Sequence, residues 1–220
     1  MVILPTLYLG LVLGLSGQLT PATTLVSTAP IEVHADPRAT YLERAALYWM
    51  ALPDCDRRQE ACAAFERQEG EPVSAVRNRI ATVSQQVSEM TTTVQRGLLL
   101  MSLAMNESRF RGYVDAGECN KPEFRSSRLA RYGHCDNGHA FSLWQVHPNA
   151  QFDRDGQTDR EMLTTSRSYA IGRASGIVDA SLARDGTLRG YTGETSELAP
   201  KAFKRLRDAE VYLAGHPFKE

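Results

Sequence analysis

The fold is decided by the stretch Leu98-Leu99-Leu100-Met101-Ser102-Leu103-Ala104-Met105, which is followed closely by Glu107. The stretch is apolar almost all round, which is typical of a helix buried inside a protein and not laid on its surface. Helical geometry places Glu107 in line with Leu100, Leu103 and Ala104. The sequence therefore predicts a central buried helix with a carboxyl group near its C-terminal end.

Patterns on both sides of this stretch predict further helices. Apolar residues recur at spacings of three and four between Val73 and Val87, as on one face of a helix. Few residues favour strands, so the sequence predicts a mainly α fold. We expect a small N-terminal helical extension over residues 36–95 and a main domain over residues 96–216. The predicted helical regions are residues 37–50, 72–94, 98–105, 160–182 and 200–214.

The charge balance bears on the class of partner. The 220 residues carry 25 basic and 26 acidic side chains, for a formal net charge of −1. Because phosphate binding usually leaves a strong basic excess, this balance argues against nucleic acid as the main partner.

The first 35 residues differ from the rest of the chain. Residues 2–15 carry no charge, and their apolar core is short for a membrane span but suits a signal peptide. A small-residue cleavage site follows at Val33-His34-Ala35. The alternative is an uncleaved N-terminal anchor in the membrane. Both interpretations predict a protein that is periplasmic or secreted.

The four cysteines agree with export. An even number in an exported chain predicts two disulfides with three connectivities, of which sequence proximity favours Cys55–Cys62 and Cys119–Cys135. On one continuous helix the first pair would lie about 10 Å apart, so that bridge needs a turn between its two cysteines. The competing interpretation is a zinc site, whose ligands would be Cys119, His134, Cys135 and His139.

Glu107 is the candidate for chemistry. A carboxyl group on a buried face loses hydration, which disfavours its charged form and raises its pKa. A general acid needs such a shift if it is to hold a proton near neutral pH. The alternative is a glutamate at the helix end that turns outward to solvent.

Three motifs resemble those of the soluble lytic transglycosylases. Glu107-Ser108-Arg109-Phe110 resembles the glutamate–serine signature of that family. Some 34 residues later, the segment from Phe141 to Pro148 is similar to the second motif, a glycine–leucine–x–glutamine–hydrophobic–x–proline wall of the sugar cleft. Tyr191-Thr192-Gly193 resembles the third, in which a tyrosine opens a turn. The resemblance covers residues 98–213, and residues before Val94 add nothing to it.

The resemblance implies a lysozyme-like fold for residues 96–216, with peptidoglycan as the substrate and no metal or organic cofactor. It implies that Glu107 is both acid and base and that Ser108 supports it at the sugar site. The chain departs from the family at Ser142, where glycine is usual and lets the backbone approach the sugar. The implied sugar-binding residues are Ser108, Ser142, Leu143, Trp144, Gln145 and Tyr191, with Trp144 suited to stacking and Tyr191 facing the cleft.

Two rival functions remain open. A hydrolysing lysozyme of the same fold would use a second carboxylate to position water, and Asp115, Glu118 and Asp136 are the candidates in the loop region. The other rival is a non-catalytic glycan-binding or structural component of a phage particle or secretion apparatus. Small exported transglycosylases also serve such machines, so association with one is compatible with either function.

Overall fold

The computed structural model describes residues 36–118, 139–151, 153–154, 156–193 and 197–216. Within them the fold is mainly α, as the sequence predicts. The expected signal peptide or anchor over residues 1–35, and Cys119, His134, Cys135 and Asp136, lie outside the described residues. No helix among the described residues is long and apolar enough to cross a membrane.

The described residues form the following elements in chain order. The helices are α1 (Pro37–Trp49), a single-turn 3₁₀ helix (Leu52–Asp54), α2 (Gln59–Glu69), α3 (Val73–Met90), α4 (Val94–Ser108), α5 (Gly112–Asp115), α6 (Asp159–Thr165), α7 (Arg167–Asp185), α8 (Arg189–Thr192) and α9 (Leu198–Gly215). Between α5 and α6, the strands β1 (Asp153–Arg154) and β2 (Gln157–Thr158) pair antiparallel.

Helix α4 is the centre of the core, as its apolar sequence predicts. Every residue from Gly97 to Met105 is buried, and α1, α3 and α9 pack around the helix. Gly97 lets α1 come close, since a Cβ built there would lie 2.8 Å from Leu42 Cδ1. On another side, the Ser102 hydroxyl donates to the carbonyl of Ala202 in α9 at 3.2 Å.

The predicted helix over residues 160–182 is two helices in the structure. Ser166 has an extended backbone, with φ of −127° and ψ of 105°, and separates α6 from α7. Its side chain accepts a hydrogen bond from the Tyr169 amide at 3.2 Å and so caps α7. Serine favours this capping role over a helix interior, which explains the break that the apolar periodicity did not indicate.

The division at residue 95 needs correction. The chain from residue 36 onward forms one compact unit, and α1 and α3 cover faces of α4 directly. Leu42, Ile80, Val83 and Leu100 belong to the same hydrophobic core. Residues 36–95 are therefore part of the domain that carries Glu107 and not an appendage to it.

The cysteines of the first pair lie together, although the structure has no disulfide between them. Cys55 ends the 3₁₀ helix and Cys62 lies in the first turns of α2, so the chain turns between them as a bridge would require. Both are free thiols. The pKa of the Cys55 thiol is raised to about 11, mainly by burial and to a lesser extent by hydrogen bonding to Cys62. The Cys55–Cys62 bridge stays a prediction, as does Cys119–Cys135.

Candidate active site

Glu107 lies in the last turn of α4 and is partly buried. Burial raises the pKa of its carboxyl from 4.5 to about 7. This is the direction that the sequence predicts, and its physical cause is the loss of hydration next to an apolar core. A carboxyl with such a pKa is partly protonated near neutral pH, so it can donate a proton and afterwards accept one.

The chain leaves α4 through an unusual turn. Arg109 and Phe110 both have φ of +53°, in the left-handed region that residues other than glycine rarely adopt. The Ser108 hydroxyl donates to the Ala104 carbonyl at 2.8 Å and accepts from the Phe110 amide at 3.2 Å. Ser108 is fully buried. Its side chain therefore supports the turn beside Glu107, and sugar binding at Ser108 stays a prediction.

The second motif forms a tight turn. Phe141 and Val146 exchange both backbone hydrogen bonds, at 3.0 and 2.9 Å, and close the segment into a small hairpin. Ser142 has φ of +67° and Gln145 has φ of +49°. Glycine would adopt the left-handed backbone of Ser142 without strain. The Gln145 side-chain amide donates to the Ser142 carbonyl at 2.9 Å and so stabilises the turn.

Trp144 and Leu143 are core residues. This corrects the expectation that the Trp144 indole stacks on a sugar, whereas the expectation for Leu143 concerns its backbone and stays a prediction. Both side chains are fully buried. The Trp144 indole Nε1 donates to the carbonyl of Leu100 at 2.9 Å and thereby ties the turn to α4. An indole enclosed in this way has no free face for a sugar ring. The side chain of Ser142 is also largely buried, whereas Gln145 is partly exposed.

Tyr191 joins the third motif to the other two. Its hydroxyl donates a hydrogen bond to the carbonyl of Trp144. Burial and the negative charge of Glu107 raise the pKa of Tyr191 well above its usual value, so its ring lies close enough to Glu107 to sense that charge. Tyr191 thus contacts Trp144 and lies within electrostatic range of Glu107, although the three residues are widely separated in the sequence.

The proposed second carboxylates differ in their surroundings. Arg167 donates to both carboxylate oxygens of Asp115, at 3.0 and 2.5 Å, and Arg79 Nε lies 3.8 Å from the same group. Asp115 is therefore an ion-pair partner that links α5 to α7. Glu118 ends the first described segment. No three His, Cys, Asp or Glu side chains among the described residues come together as a metal site.

Sequence reasoning missed a cluster of charged residues around the turn after Glu107. Glu69 forms ion pairs with Arg109 and Arg111, and Glu71 forms an ion pair with Arg79 beside the same turn. The matching patterns Glu69-Gly70-Glu71 and Arg109-Phe110-Arg111 are a signal that could have indicated this pairing. Because charges alternate in this way in many solvated segments, the pattern indicates a specific pairing only when the fold is known.

Comparison with protein-family models, with curated proteins and with solved structures finds no match to this chain. What the site can do chemically is therefore inferred from its own residues and motifs.

Proposed function

We propose that the protein is a peptidoglycan lytic transglycosylase of lysozyme-like fold, with Glu107 as its acid and base. One observation carries this proposal. Burial raises the pKa of the Glu107 carboxyl to about 7, and Glu107 lies where the three motifs that resemble those of lytic transglycosylases converge. A buried carboxyl at a helix C-terminus costs stability, because it loses hydration and meets the negative end of the helix dipole. Such a cost is expected where the group serves function.

The proposed reaction needs one carboxyl group. Protonated Glu107 would donate its proton to the glycosidic oxygen between MurNAc and GlcNAc, and that bond would break. The resulting carboxylate would accept the proton of the sugar's own 6-hydroxyl as its oxygen bonds to the anomeric carbon. The products are a new GlcNAc hydroxyl and a 1,6-anhydro-MurNAc end, with no water consumed. We accordingly propose peptidoglycan strands as the partner and the periplasm or the exterior of the cell as the location.

The pairing of Asp115 argues against this residue as the second carboxylate of a hydrolysing enzyme, for which Glu118 and Asp136 are the other candidates. A hydrolysing enzyme needs a second carboxylate to direct water, and Asp115 already accepts two hydrogen bonds from Arg167. Glu107 itself favours an enzyme over an inert glycan-binding component, since binding alone does not need a carboxyl that stays protonated near neutrality.

Digestion of purified peptidoglycan by the protein, followed by mass spectrometry, tests the proposal. We expect 1,6-anhydro muropeptides, and activity that falls as pH rises past about 7, because the protonated form of Glu107 is lost. Glu107→Gln should abolish turnover, since an amide cannot transfer a proton to the leaving oxygen. Glu89→Gln, at an exposed carboxyl of α3, is the matched control and should cut normally.

Reducing-end products alone would replace this proposal with hydrolysis. Normal cutting by a folded Glu107→Gln variant would exclude Glu107 as the acid.

A further inference from the structure

Both oxygens of the buried Glu69 carboxylate face the segment that follows Glu107. Oε1 accepts from Arg109 Nε at 2.9 Å and from Arg109 Nη2 at 2.6 Å, while Oε2 accepts from Arg111 Nε at 3.1 Å. The side chain of Glu69 is 1% exposed and that of Arg111 is 5% exposed. One carboxylate at the end of α2 therefore holds two arginines that flank Phe110.

A second set of contacts holds the same segment from α3. Glu71 Oε1 accepts from the backbone amide of Gly112 at 3.2 Å, and Glu71 pairs with Arg79 at 2.6 and 3.0 Å. Arg79 also donates to the carbonyl of Phe110. The fit is close, since a Cβ on Gly112 would lie 2.6 Å from Arg79 Nη2. Residues 109–112 are thus fixed by α2, α3 and the connection between them.

The segment needs this support because of its backbone. Helices commonly end on a left-handed glycine, but α4 ends on Arg109, and Phe110 adopts the same conformation next to it. Two successive left-handed residues with side chains persist only where the surroundings hold them. Glu107 lies two residues before Arg109, so a change in this turn moves the last turn of α4.

We propose that Glu69 is a positioning residue for Glu107: by holding Arg109 and Arg111 it fixes the end of α4 and sets how deeply the Glu107 carboxyl lies in the protein. The role of Glu107 in this statement rests on the proposed function. The charge of Glu69 also balances the two arginines. Three further ionisable groups among the described residues lie near this segment. Tyr113 of α5 interacts with Arg111 and senses the charges of Glu69 and Glu71. Tyr191 of α8 senses the charge of Glu107, and Arg205 of α9 donates to the Asn106 side chain and senses the charge of Arg109.

The test compares Glu69→Gln with Glu60→Gln, which alters an exposed carboxyl on the same helix. In each full-length protein, the titration of Glu107 is followed by NMR of its labelled carboxyl carbon. We expect the pKa of Glu107 to stay near 7 with Glu60→Gln. With Glu69→Gln it should fall by about one unit or more, because the carboxyl gains hydration and the two arginines lose the neutralising charge of Glu69. An unchanged Glu107 titration in folded Glu69→Gln protein would overturn the proposal.

Glu69→Asp separates position from charge. It keeps the charge but is one methylene shorter, so it cannot reach both guanidinium groups, and we expect it to behave like Glu69→Gln. Wild-type titration of Glu107 in Glu69→Asp would overturn positioning in favour of charge balance. Should the buried Glu69 variants not fold, Arg109→Lys removes the two-pronged contact at the more exposed arginine and should lower the pKa of Glu107 in the same direction.

Kinetics give a second measurement. Misplacement of the acid should lower kcat by roughly 10- to 100-fold, and leave KM within about two-fold, because Glu69 does not touch the glycan. A raised KM with unchanged kcat would contradict the proposal. If the wild-type protein cuts no peptidoglycan, the proposed function fails, but the NMR comparison still decides whether Glu69 positions Glu107.

Discussion

At the scale of single residues, the Glu107 carboxylate lowers the free energy of unfolding of the protein. The cause is the burial of a group that water would otherwise hydrate when charged. A raised carboxyl pKa means that the folded state binds the proton more tightly than the unfolded state does. The resulting contribution to stability is fully present below pH 4.5 and is lost as pH rises towards 7.

This dependence predicts the stability of Glu107→Gln. The amide does not ionise, so the free energy of unfolding of the variant relative to wild type should rise between about pH 4.5 and pH 7 and then level off. At pH 8 the relative gain should be on the order of 2 kcal/mol, since one pKa unit corresponds to about 1.4 kcal/mol and Glu107 keeps some contact with solvent. Urea unfolding of both proteins at pH 4, 6 and 8 measures it. A difference that does not vary with pH would show that the carboxyl is not desolvated.

At the scale of elements, the hairpin closed by Phe141 and Val146 is a structural wall of the site. Trp144 points inward from it to α4, and Tyr191 holds it through a backbone carbonyl. Any contact with a glycan would therefore come from its backbone or from Gln145. Ser142 and Gln145 both have a left-handed backbone, which is strained for residues other than glycine.

Ser142→Gly should therefore stabilise the protein, by about 0.5–1 kcal/mol, because glycine adopts a positive φ without strain. Ala180→Gly, at an exposed position inside α7, is the control. We expect it to have the opposite effect and to lower the free energy of unfolding by about 1 kcal/mol. Thermal or urea unfolding of the two variants compares them. Equal destabilisation by both would mean that the hairpin is not strained at Ser142.

At the scale of the whole molecule, the structure shows where sequence patterns suffice and where they do not. The buried α4 and the raised pKa of Glu107 follow from the apolar pattern of residues 98–107. The mainly helical fold follows from helical periodicity elsewhere in the chain and from the scarcity of residues that favour strands. The break at Ser166 was missed because one capping serine interrupts an otherwise continuous helical pattern. Trp144 and Glu69 form their hydrogen bonds with residues 44 and 40 positions away in the sequence, and no local periodicity indicates such partners.

Because residues 36–95 share one hydrophobic core with the rest of the domain, we predict that residues 96–220 do not fold alone. Removing residues 36–95 would expose the faces of α4 that Leu42, Ile80 and Val83 cover, and would delete Glu69, which pairs with Arg109 and Arg111. We expect residues 36–220 to unfold cooperatively and the shorter fragment to show no cooperative thermal transition. Circular dichroism measures both. A folded, cooperative fragment would mean that residues 36–95 are an appendage after all.

The close approach of Gly97 to Leu42 also has an evolutionary consequence. Because any side chain at position 97 would meet the Leu42 methyl groups, Leu42 must shift or become smaller to admit a larger residue there. In chains descended from a common ancestor with this one, we expect positions 42 and 97 to vary together.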